Sequence, residues 1–66
     1  MNIQLNGETR PLSGPLTLIE LLAVEGLAER RVAVEVNHEI VPRSQHGEHR
    51  LKDGDVVEIV HALGGG

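Results

Sequence analysis

Among its 66 residues this chain has no phenylalanine, tyrosine, tryptophan or cysteine. No other feature narrows its folding options as much. A chain this short buries a modest fraction of its surface, so its core is small. Here the core has to be aliphatic, built from Leu, Val and Ile, and the length suits one small domain. There is no room for a buried active site under a lid. Without rings to stack on bases, single-stranded nucleic acid has no platform. A formal net charge of −4 also disfavours a phosphate-backbone binder. The missing thiols exclude thiolate metal sites and any side-chain persulfide. Met1-Asn2-Ile3-Gln4 shows no secretory pattern, and no apolar run approaches the roughly 20 residues of a membrane span. The expectation is a cytoplasmic protein that binds neither nucleic acid nor membrane.

The aliphatic residues fall into readable periods. Ile3 and Leu5 alternate with Asn2, Gln4 and Asn6, as in a half-buried strand. Asn6-Gly7 is a strong hairpin signal because both residues tolerate positive φ. The return strand runs from Glu8 to Leu12, with Pro11 placing it at an edge or ending it. Ser13-Gly14-Pro15 is a loop. Thr17-Leu18-Ile19-Glu20 reads as a capping box, followed by Leu21 and Leu22, with Glu25 facing outward and Gly26 as a left-handed stop before Leu27. Glu29, Arg30 and Arg31 read as a solvated connection. Val32, Val34 and Val36 form a β-branched strand, Asn37-His38 a turn, and Glu39-Ile40-Val41 a short return strand stopped by Pro42. Residues 43–50 have no period and read as a loop, with Leu51 dipping into the core. Lys52-Asp53-Gly54-Asp55 is a tight turn before the last strand, Val56 to His61. A helix between two hairpin-like halves predicts an α+β fold: a mixed sheet of four to five strands crossed by one helix, its first and last strands central and parallel.

Beyond His61 lie Ala62, Leu63 and Gly64-Gly65-Gly66. The division expected is a folded domain over 1–61 and a flexible glycine tail over 62–66. Glycine has no Cβ, so its backbone enters channels closed to other residues. Five residues past His61 reach roughly 17 Å when extended, enough to carry a terminal carboxylate into another protein's cleft. The Gly66 carboxylate is the candidate reacting group, with Gly65 giving steric clearance and Gly64 part of the thread.

Two blocks carry a family resemblance. Val36-Asn37-His38-Glu39-Ile40-Val41-Pro42-Arg43 resembles the N-x-x-I-V-P-R hairpin of the thiamin-biosynthesis sulfur carriers, the ThiS family. Leu51-Lys52-Asp53-Gly54-Asp55-Val56-Val57-Glu58-Ile59-Val60-His61 resembles its last turn and strand, and Leu63-Gly64-Gly65-Gly66 its terminal Gly-Gly. Ala62 departs from the large apolar or aromatic residue often found there. The resemblance implies a ubiquitin-like β-grasp and a carrier, not an enzyme. An E1-like adenylating enzyme, using ATP, would join AMP to the Gly66 carboxylate. A cysteine desulfurase or rhodanese-like donor would then replace AMP with sulfur. A thiazole synthase would use the resulting thiocarboxylate. No cofactor is implied on the carrier itself. A molybdopterin-type sulfur carrier, a ubiquitin-like modifier and a plain docking module remain open as alternatives.

If Val57 and Ile59 face the helix, Val56, Glu58 and Val60 lie on the sheet's open face. With Ala62 and Leu63 at the tail base they make a candidate partner-docking patch, rimmed by Glu35, Glu39 and Glu58. His38, His46, His49 and His61 lack the company of a recognisable metal site and read as solvated; no metal is expected. Ser44 and His46 have nothing to orient them as a nucleophile pair.

Overall fold

The computed structural model describes residues 1–61. In chain order the strands are β1 (Asn2–Leu5), β2 (Glu8–Pro11), β3 (Val32–Val36), β4 (Glu39–Val41) and β5 (Val56–His61), with helix α1 (Leu18–Val24) between β2 and β3. They form one five-stranded sheet in the order β2-β1-β5-β3-β4. β5 pairs parallel with β1 and antiparallel with β3, so the last strand is central. Pro11 lacks an N–H, and it ends β2 at the sheet's edge, where a missing donor costs least.

Local chemistry shapes the turns. Asn6 and Gly7 both take positive φ between β1 and β2, and Asn37 and His38 do so between β3 and β4, as hairpin loops of two residues require. At the start of α1, the Thr17 hydroxyl accepts from the Glu20 N–H while the Glu20 carboxylate accepts from the Thr17 N–H. At its end Gly26 sits at φ +75°. The Leu27 N–H reaches the Leu22 carbonyl, and the Gly26 N–H that of Ala23. These two bonds complete the left-handed stop expected at Gly26.

Leu18, Leu21 and Leu22 of α1 pack against Ile3, Leu5, Val34, Val36, Val57 and Ile59 of the sheet, with Val41 and Leu51 closing the ends. The core is wholly aliphatic, as the composition demands. Glu25 differs from expectation. It is largely covered rather than facing outward, and its carboxylate is paired with the Arg10 guanidinium of β2. The helix thereby grips the edge strand as well as the core.

Residues 43–50 begin with a single 3₁₀ turn, Arg43–Gln45, and then pass under the helix start. The Leu18 N–H donates to the His49 carbonyl and the Ile19 N–H to that of His46. With Glu20 served by Thr17, the first three N–H groups of α1 have partners. His46 is correspondingly 3% exposed, which corrects its reading as solvated. Its Nε2 lies 2.9 Å from the Val41 carbonyl oxygen. A carbonyl can only accept, so this nitrogen carries the proton.

Candidate functional site

Alternation along β5 decides which side chains a partner can meet. Val57 and Ile59 are buried against the helix, which turns Val56, Glu58 and Val60 to the other face. The register extends that face across neighbouring strands. Ala33 lies opposite Val60, Glu35 opposite Glu58, and Gln4 beside Val56. Ile40 of β4, opposite Glu35, adds apolar surface at the edge. Val60 is 58% exposed and Ile40 62%.

The face is thus apolar around a central pair of carboxylates. Like charges directly opposite on a sheet destabilise it, and neither Glu35 nor Glu58 has an ion-pair partner among the described residues. The structure revises the expected acidic rim in two ways. Glu35 and Glu58 stand in the middle of the face, and Glu39 is not part of it. Glu39 pairs with Val36, whose side chain points into the core, so the pleat puts Glu39 on the helix side.

The start of β5 is held by Asn37. Its side-chain amide donates to Asp55 Oδ1 at 3.0 Å, and its Oδ1 accepts the Val56 N–H at 2.9 Å. Asp55 Oδ2 accepts the Lys52 N–H across the tight turn. Farther along, β1 has turned away, and the Asn6 side chain supplies the acceptor for the Ile59 N–H at 2.8 Å. Asn6 and Asn37 read in the sequence as turn formers. Their second role, holding β5, shows only once the strands are assembled.

Val56, Glu58 and Val60 are therefore together on one face, as expected. Ala62 and Leu63 of the docking patch, and Gly64, Gly65 and Gly66, lie outside the described residues. His38, His46, His49 and His61 do not converge, and no group of three or more His, Asp or Glu side chains able to hold a metal ion occurs among the described residues. No helix there is long and apolar enough to cross a membrane.

Comparison with known proteins agrees with this geometry. The family model described as the ThiS family matches residues 3–66. The chain is 44% identical to the sulfur carrier protein ThiS of Thermus thermophilus, over 97% of this chain and 98% of that one. It is 46% identical over its full length to a thiazole synthase of Paramagnetospirillum magneticum, of which it spans only 20%. A crystal structure of the thiamine biosynthesis protein ThiS from Geobacter metallireducens superposes with a TM-score of 0.87 at 36% identity, covering both chains completely.

Proposed function

The chain belongs to the ThiS family, and on that premise we propose that it carries sulfur for thiazole formation in thiamin biosynthesis, as a thiocarboxylate on Gly66. The observation that carries this reading is the likeness, over nearly the whole chain, to a named sulfur carrier and to a solved thiamine biosynthesis protein ThiS. The likeness to part of a thiazole synthase supports thiazole formation as the destination of the sulfur. It favours this reading over a molybdopterin carrier or a lysine-linked modifier.

The chemistry follows from the inertness of a carboxylate, which is anionic and resonance-stabilised. Attack of the Gly66 carboxylate on the α-phosphorus of ATP releases pyrophosphate and leaves an acyl-adenylate. The terminal sulfur of a donor persulfide then attacks the acyl carbon and AMP departs. A thiol reduces the resulting acyl disulfide, leaving the thiocarboxylate. One difficult substitution becomes two easier ones. The partners, an E1-like adenylating enzyme, a desulfurase or rhodanese-like donor and a thiazole synthase, supply the acids and bases. This chain supplies the carboxylate, the glycine thread and a surface to hold.

That surface is the open face of β5. Val56, Val60, Ala33 and Ile40 offer apolar contact, and Glu35 with Glu58 asks for a basic group on the partner. Intact mass after incubation with ATP, an adenylating partner and a persulfide donor tests the carrier reading. The expected product gains one sulfur in place of one oxygen. No gain, with partners that convert a control carrier, would remove the reading.

A further inference from the structure

A second surface lies on the helix side of the sheet, away from the face just described. Ile19 and Leu22 of α1, Ala28, and Val32 at the start of β3 line a groove of about 170 Å³ together with Arg30, Arg43 and His46. Ile19 remains 54% exposed there.

Size and charge define what fits. Small-molecule sites run from about 300 to 1,000 Å³, so this groove suits one bulky side chain rather than a cofactor. The chain carries a net charge of −4 and only 6 Lys and Arg residues, yet two of these flank one apolar hollow. Neither Arg30 nor Arg43 is ion-paired among the described residues. Arginine is suited to gripping a carboxylate with two parallel N–H bonds.

We propose that this groove is a docking site for a protein segment that places one bulky apolar side chain against Ile19, Leu22 and Val32, and an adjacent Asp or Glu carboxylate between Arg30 and Arg43. The site is independent of the carboxylate-bearing face. Val32 pairs with His61, so the groove lies beside the last described residue of β5. A partner occupied with residues beyond His61 has it within reach.

The test uses the full chain labelled with ¹⁵N and the dipeptide N-acetyl-Phe-Asp-amide as probe, followed by amide shifts. Saturable shifts are expected at Ile19, Ala28, Val32, Arg43 and His46. The Phe-Asn analogue is expected to bind about threefold more weakly or worse, the loss of exposed carboxylate pairing. The double variant Arg30→Glu, Arg43→Glu and the groove-filling variant Ala28→Trp each abolish the saturable shifts. All three positions are exposed, and an unchanged spectrum elsewhere shows that each variant folds. Equal binding of the two dipeptides, shifts centred on Val56 and Val60, or no saturable shift at tens of millimolar overturns the proposal. None of these results bears on whether Gly66 accepts sulfur.

Discussion

Glu20 closes the capping box at the start of α1, and its carboxylate works best when charged. Hydrogen bonds from the Thr17 backbone N–H and hydroxyl hold its pKa below the ordinary glutamate value. The unfolded chain therefore takes up this proton first. The stabilisation is complete above the unfolded pKa, about 4.5, and is lost as pH falls through the lower folded value. Glu20→Gln keeps the side-chain shape and removes the charge. Its urea midpoint is expected below wild type at neutral pH and level with it in strong acid. A gap of constant size at every pH contradicts the argument. This residue's role was legible beforehand because a capping box is local: Thr17 and Glu20 are three residues apart. Glu25 was not, since its partner Arg10 belongs to a strand 15 positions away.

Among the elements, β5 gathers the most constraints: two neighbouring strands, a helix above and two asparagine side chains along its edges. Asn37→Gly keeps the positive φ without strain, so it isolates the side chain's bonds to Asp55 and Val56. We expect a loss of about 1 kcal/mol, a fall in Tm of about 4–8 °C for a domain of this size. Wild-type thermal stability in this variant would mean that the latch is idle. The cross-strand carboxylates predict the opposite sign. Glu58→Gln removes a like-charge contact and is expected to stabilise the fold by roughly 0.2–1 kcal/mol, while slowing association with an adenylating partner and flattening its salt dependence. Equal association rates for both proteins at low ionic strength would separate Glu58 from docking. The alternation of β5 was readable directly, because a pleat has a fixed period of two. That Glu35 stands beside Glu58, and Glu39 on the other side, depends on strand register, which a single strand's pattern does not contain.

In the whole molecule, one sheet separates two surfaces of different character. The open face is apolar around acid, and the helix side holds an apolar groove rimmed by arginine. In the carrier role proposed above, such separation would help, because surfaces on opposite sides let contacts be exchanged without full release. Competition between the dipeptide probe and an adenylating partner tests the separation. Simultaneous binding is expected, and mutual exclusion would place both contacts on one surface. The loop over residues 43–50 supplies Arg43 and His46 to the groove, and it was the least legible part of the chain. It has no hydrophobic period, and its order comes from the free N–H groups at the start of α1 and from His46 reaching Val41.

The elements, the turns, the helix stops and an aliphatic core were all legible in the order of the residues, because each rests on contacts a few residues apart or on composition. That order also carried the family resemblance, through short blocks at the hairpin and the last strand. The burial of His46, the shared face of Glu35 and Glu58 without Glu39, and the meeting of Arg30 and Arg43 at one groove emerge on assembly of the fold. Those are pairings between distant segments, set by register and packing.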